Sequence, residues 1–324
     1  MRPVAVVTTF SASRMSDLRL RRVNFLRGAL VASLLALPVS SLAQQESIGE
    51  SSQPSAIERG EYIFRATGGC GCHTDYANGG ALLAGGRAIE TPFGTIYGTN
   101  ITPDPETGIG NWSDEDFLRA MTEGIGPDGT IFYPVFPYTA FTKMTRQDVL
   151  DLKAYLFSVP AVKQENKPPE LGFPFNIRSG LHAWRLLNFD SGTFEPDGDQ
   201  SEEWNRGVYL SMALAHCGEC HTPRGTTGAL DEEMSYAGSR EGPEGELAPN
   251  ITPDRETGIG SWSLADIVWL LQTGFKPEGD DAQGLMGQVI EHGYMHLVES
   301  DLLAIATYLK SLTPIRNVVE PSAQ

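Results

Sequence analysis

The sequence predicts a mainly α-helical protein in which one unit of about 110 residues occurs twice. Three observations predict it. NITPDPETGIG at residues 100–110 returns as NITPDRETGIG at residues 250–260, an offset of 150, and Trp112 returns as Trp262 at the same offset. Arg59-Gly60-x-Tyr62 returns as Arg206-Gly207-x-Tyr209, at an offset of 147. Each unit also holds a tight cluster of two cysteines followed at once by a histidine. A period of this length is too long for a solenoid and suits a small domain.

The elements follow in order. A helix over 55–67, and another over 201–214, leads into each Cys/His cluster. Ser113-x-x-Asp116 and Ser263-x-x-Asp266 are capping boxes, opening helices that carry Phe117, Leu118 and Met121 in one unit and Ile267, Val268 and Leu271 in the other. A third helix closes each unit, with Val149, Leu152 and Leu156 on one face of the first and Leu302, Ile305 and Leu309 on one face of the second. Pro160 and Pro314 lie just beyond, where helices stop. Residues 161–200 show no clear period but hold Phe173, Phe175, Trp184 and Phe189, too apolar for a free linker, so they predict an ordered connector. The expected units are 44–160 and 201–318, with a tail at 319–324.

Residues 1–43 read as a signal peptide. Arg19, Arg21, Arg22 and Arg27 form a basic region, Ala29 to Val39 is a short apolar run, and Ser41-Leu42-Ala43 is a cleavage site. The run is well short of the ~20 residues that span a bilayer. Met15 offers an alternative start, and Arg21-Arg22 fits a twin-arginine signal only weakly. No later stretch is long and apolar enough to cross a membrane, so the mature chain is expected to be soluble in an exported compartment. The net charge is −17, and the first 43 residues take six arginines and one aspartate, which leaves the rest at −22. Such a surface disfavours nucleic acid and anionic lipid and suits steering towards a basic partner patch.

Only Cys70, Cys72, Cys217 and Cys220 occur. A bridge from Cys70 to Cys72 would close almost no loop, so the cysteines read as chemical rather than structural. CGECH at 217–221 is the Cys-x-x-Cys-His pattern of covalent haem c attachment, with His221 as iron ligand. A structural zinc site wants four ligands, and each cluster offers three. A thioredoxin-like dithiol would follow a strand, whereas here the cluster follows a helix. Met286 is the expected sixth ligand of this site, with His292, Met295 and His296 as competitors. The first cluster, CGCH at 70–73, is one spacer residue short. Two positions on a helix are ~200° apart, so Cys70 joins Cys72 and His73 only if the backbone leaves helical geometry, which Gly68, Gly69 and Gly71 would permit.

GEYIFRATGGCGCHTD, TPFGTIYGTNITPDPETGIGNW, YPVFPYTAFTKMT and HCGECHTPRG together resemble the multihaem cytochrome c subunits of periplasmic dehydrogenases that oxidise alcohols, aldehydes and gluconate. The resemblance covers roughly residues 55–315. It implies two tandem class I cytochrome c domains, two covalently bound haem c groups, a periplasmic location, a dehydrogenase catalytic subunit as electron donor and a quinone or cytochrome as acceptor. Many such subunits have a third haem domain and a C-terminal anchor; neither is expected here. The family's distal ligand lies in a stretch like Pro-Ala-Met-Pro-Tyr, which here reads Pro134-Val135-Phe136-Pro137-Tyr138, and Phe136 cannot ligate iron. The repeat sets Phe136 opposite Met286, leaving Met144 as the nearest replacement. Trp112, Trp262 and Arg224 are expected to contact haem propionates. The leading expectation is electron transfer without substrate chemistry. The rival is a dihaem enzyme, peroxidase-like or acting on a sulfur oxyanion, at an open first haem. No hydrolytic triad, phosphate loop or nucleotide fingerprint competes.

Overall fold

Side-chain caps set the helix starts, and the computed structural model, which describes residues 53–320, shows them in duplicate. Helix α1 (Ala56–Ala66) opens on Ser55, which accepts the Glu58 N–H while the Glu58 carboxylate accepts that of Ser55. Helix α2 (Asp114–Glu123) opens on the Ser113/Asp116 box and closes on Gly124 at φ 64. A short α3 (Tyr138–Phe141) and α4 (Arg146–Leu156), capped by Thr145, complete the first repeat. The connector carries α5 (Gly180–Asn188). Then α6 (Glu202–Tyr209) runs into a π turn over Leu210–Leu214, where the sequence predicts one continuous helix. A single turn, α7 (Gly218–His221), precedes α8 (Leu264–Thr273), which repeats the box with Ser263 and Asp266. Finally come α9 (Gly284–His292) and α10 (Glu299–Ser311). The expected signal segment, residues 1–43, and residues 321–324 of the expected tail lie outside the described residues.

The helical content agrees with the expected mainly α class, and a small sheet adds to it. Strands β1 (Ala88–Thr91), β2 (Gly94–Tyr97) and β3 (Glu170–Leu171) pair antiparallel in that order, with Ala88 opposite Tyr97 and Gly94 opposite Leu171. Because β3 belongs to the connector, the sheet ties residues 170–171 to the first repeat.

In each repeat the first helix packs on the last through a glycine. A Cβ on Gly60 would lie 1.9 Å from the Asp151 carbonyl oxygen, and one on Gly207 2.0 Å from that of Ala304. Hence α1 seats on α4 and α6 on α10, while α2 packs on α4 as α8 does on α10. The buried residues of both repeats join in one core cluster that includes Ile63, Phe64, Leu152, Leu210, Leu302 and Ile305, and residues 53–320 fall within one compact unit.

The tyrosines of the Arg-Gly-x-Tyr repeats explain the join. Tyr62 Oη donates to Asp301 Oδ2 at 2.7 Å and accepts the Val298 N–H at 3.3 Å. Reciprocally, Tyr209 Oη donates to Asp148 Oδ2 and accepts the Thr145 N–H at 3.0 Å. The same residue of each repeat reaches the same partners in the other, an isologous contact with internal two-fold character.

Candidate functional site

Each Cys/His cluster follows the entry helix of its repeat, and the backbone turns differently in the two. After α1, Gly68, Gly69 and Cys70 take φ 75, 72 and 48 in succession, and Gly71–His73 forms a tight 3-10 turn. Left-handed geometry costs a residue with a Cβ about 1–2 kcal/mol, so Cys70 is held there by its surroundings. Gly71 does not share the left-handed geometry. In the second cluster the left-handed residue is His216, at φ 41, and Cys217 to His221 then form a helical turn in which the His221 N–H donates to the Cys217 carbonyl at 3.0 Å. Cysteines three apart on such a turn face one side.

All four cysteines are free thiols. Burial pushes Cys70 up to about 11 and Cys217 up to about 12. Cys220 is likewise raised to about 12, by burial first and then by the thiol of Cys72 in the other repeat. Cys72 has exposed surface, yet burial of its thiol among neighbouring atoms raises it.

The two histidines are held alike. His73 Nδ1 lies 2.7 Å from the Thr99 carbonyl oxygen, and His221 Nδ1 lies 2.7 Å from that of Pro249. A carbonyl only accepts, so Nδ1 carries the proton and Nε2 keeps its lone pair for a metal. Burial lowers both rings' pKa, against the pull of the carbonyl bond, which keeps them neutral near pH 7. The duplicated NITPD loops aim these carbonyls. Asn100 Nδ2 donates to Thr107 Oγ1 at 3.0 Å and to the Val162 carbonyl at 2.7 Å; Asn250 Nδ2 donates to Thr257 Oγ1 and the Ile315 carbonyl at the same two distances. Asp104 and Asp254 each accept a threonine N–H at 2.7 Å, closing the loop. Thr99 and Pro249 stand just before those asparagines.

At matched places in the two repeats, residues are half-buried against the shared core: Cys70, Ile101, Trp112 and Phe136 in the first, Cys217, Ile251, Trp262 and Met286 in the second. Helix α9 packs on the first cluster's turn, and Phe141, beside Phe136, stacks on His216 ahead of the second cluster. Met286 sits on α9. Phe136 packs edge-on to Phe132 and Phe141, with ring centroids 5.8 and 5.6 Å away. Met144 is 1% exposed and immediately precedes the Thr145 cap, the place that buried Leu297 holds before α10. His292 stacks on Tyr76 at 4.5 Å, while Met295 and His296 are exposed. Trp262 Nε1 donates to Glu278 at 3.2 Å, and Arg224 donates to the Glu219 carboxylate and to the Gly228 carbonyl. Among the described residues no group of three or more His, Cys, Asp or Glu is arranged to hold a metal ion by itself.

No family model matches the chain, but curated relatives do. It is 40% identical over 287 residues to the fructose dehydrogenase cytochrome subunit of Gluconobacter japonicus, covering 88% of this chain and 58% of that protein. It is 37% identical over 291 residues to the gluconate 2-dehydrogenase cytochrome c subunit of Pantoea cypripedii, covering 87% and 65%. With the diheme cytochrome c-type protein of Cereibacter sphaeroides it shares 42% identity over 261 residues, 79% of this chain and 86% of that one. The chain belongs to this family of c-type cytochromes. It spans less than two thirds of the length of the fructose and gluconate dehydrogenase subunits and most of the length of the diheme protein. The family's cofactor is haem c, and the donor set fits it: two free thiols and a histidine with a free Nε2 in each cluster.

Several residues at the clusters escaped the sequence. Arg87, 12% exposed at its side chain, donates from Nη1 to the Gly71 carbonyl at 3.3 Å and to Gln288 Oε1 of α9 at 2.8 Å. Its Nε and Nη2 donate to the two oxygens of Glu244 at 2.9 and 3.1 Å. One signal existed: Ala84-Gly85-Gly86-Arg87 returns as Ala237-Gly238-Ser239-Arg240, but Arg240 is exposed, so the repeat alone does not single out Arg87.

Proposed function

We propose that this chain is a periplasmic dihaem electron carrier in which residues 44–160 and 201–318 are tandem class I cytochrome c domains joined by 161–200. Haem c supplies a one-electron Fe(III)/Fe(II) couple. The observation that carries the reading is the duplicated bond from His73 Nδ1 to Thr99 and from His221 Nδ1 to Pro249, each 2.7 Å. It leaves one oriented imidazole lone pair beside each cysteine pair. In the second site Cys217 and Cys220 form the thioethers, with His221 and Met286 as ligands; in the first, Cys70, Cys72 and His73 take the same roles. Trp112, Trp262 and Arg224 are the residues offered to propionates, and for Trp262 and Arg224 that contact would exchange with Glu278 and Glu219. The relatives' names support a dehydrogenase catalytic subunit as donor, with a downstream cytochrome, quinone or oxidase as acceptor. Mass spectrometry and pyridine haemochrome assay of exported protein test it. Two covalent haems per chain are expected; fewer would sink the dihaem reading.

A second reading has its own observation. Phe136 holds the position of Met286, and Met144 holds the packing position of Leu297. This favours a first site without a sixth protein ligand over one closed by Met144, and an open iron position admits small ligands. Cyanide binding to the ferric protein and carbon monoxide binding to the ferrous protein decide between them. Fast binding at one haem supports an open site and the enzyme reading. Binding only after Met144→Ala supports Met144 as ligand and the simple carrier.

A further inference from the structure

Side chains of opposite charge stand at the spacers of the two clusters. In the first, the nearest charge is Arg87, whose Nη1 donates to the carbonyl of Gly71, the one residue between Cys70 and Cys72. Its partner Glu244 lies in the loop of the second repeat that leads to Pro249, and of the two charges Arg87 acts more strongly on Cys72. In the second cluster the nearest charge is Glu219, which stands between Cys217 and Cys220 with its side chain 12% exposed. Arg224 reaches that carboxylate from beyond the cluster, and Thr139 of the first repeat donates to Glu219 Oε1 at 2.8 Å. Each is held in an ion pair and largely shielded from water. Each cluster therefore meets an oriented pair whose stronger-acting end is Arg87 at the first and Glu219 at the second. In such surroundings that difference acts more strongly than in bulk solvent.

Resting on the dihaem reading above, we propose that Arg87 and Glu219 bias the shared electron towards the first site, Arg87 by stabilising the reduced state there and Glu219 by destabilising it at the second. The exchange they bias is one electron: the second iron goes from Fe(II) to Fe(III), the first from Fe(III) to Fe(II), and no bond or proton moves. The sign follows from charge alone. A ferric site carries one more positive charge than a ferrous one, so a neighbouring cation favours the reduced form and a neighbouring anion the oxidised form. Arg87 is also tied to Gln288, two residues past Met286 on α9, so the same side chain joins the first attachment loop to the helix bearing the second site's expected ligand.

The test is a redox titration of the intact dihaem protein and its variants, with haem content counted first. Arg87→Gln is expected to lower one midpoint by roughly tenfold in the reduced-to-oxidised ratio, about 59 mV for one electron. Arg87→Lys keeps the charge and should recover most of that shift. Glu219→Gln is expected to raise the other midpoint by a comparable factor. Unmoved midpoints, both variants moving the same haem, or Arg87→Lys behaving like Arg87→Gln would overturn the proposal. If Arg87→Gln does not hold two haems, the Glu219→Gln arm still decides. Fewer than two haems in the parent defeats the dihaem reading instead, so the two failures are told apart.

Discussion

A neutral histidine whose Nδ1 proton is spent on a backbone carbonyl has one thing left to offer, the Nε2 lone pair, and this chain makes that offer twice. In the proposed dihaem reading the repeats part company at the sixth ligand. Met286 would supply a thioether in the second repeat, and its substitution by alanine should abolish the weak near-infrared band of Met-ligated ferric haem while the covalent haem stays. Loss of the band in Met295→Ala instead would refute the assignment. In the first repeat, Phe136→Met restores a thioether at the matching place and should bring in a second such band of comparable strength; an unchanged spectrum would show that Phe136 does not face the iron. The Cys/His clusters stand out in the sequence because 217–221 carries the Cys-x-x-Cys-His spacing and 70–73 repeats it one residue short. The carbonyls of Thr99 and Pro249 do not, since a backbone acceptor has no side-chain signature, and Arg87 does not, since its burial depends on Glu244 and Gln288 arriving from the other repeat.

At the scale of elements, two glycines decide whether helices can meet. A methyl group on Gly207 would stand 2.0 Å from the Ala304 carbonyl oxygen, which is backbone and cannot swing aside. Gly207→Ala should therefore push α6 off α10 and destabilise the holoprotein by about 1–3 kcal/mol or more, the usual cost of overpacking. The urea midpoint measures it, and a stability within ~0.5 kcal/mol of the parent, the range of ordinary surface changes, would show that the contact is soft. Gly60→Ala should do the same at α4. The helix starts are visible in the sequence because Ser-x-x-Asp boxes announce themselves locally. The sheet is not, because its strands run four, four and two residues, with no clean alternation of buried and exposed positions. The π turn over Leu210–Leu214 is equally hidden; its leucines keep a helical pattern while the backbone widens to deliver His216 and Cys217 to the cluster.

At the scale of the molecule, the repeats are held by exchanged tyrosine–aspartate bonds rather than by the connector alone. Asp301 sits at the centre of one such bond. Burial alone would raise its carboxyl, but the hydrogen bonds from Arg206 and Tyr62 outweigh burial and hold it below the ordinary value. The sign is fixed by that depression. Below the folded pKa both states are protonated and the contribution is gone; above the unfolded value it is fully present, so stability from this group falls as pH drops. Asp301→Asn removes the titration while keeping the shape. The parent should exceed this variant in thermal midpoint near about pH 6, and the gap should narrow progressively as pH falls below the ordinary Asp value of about 4. Tyr62→Phe tests the same bond from the other repeat. If the bond joins the repeats, the double variant with Asp301→Asn should lose less than the sum of the two single losses, a coupling of about 0.5–3 kcal/mol for groups in contact. Additive losses, or a gap that ignores pH, would mean that Tyr62 and Asp301 merely lie side by side.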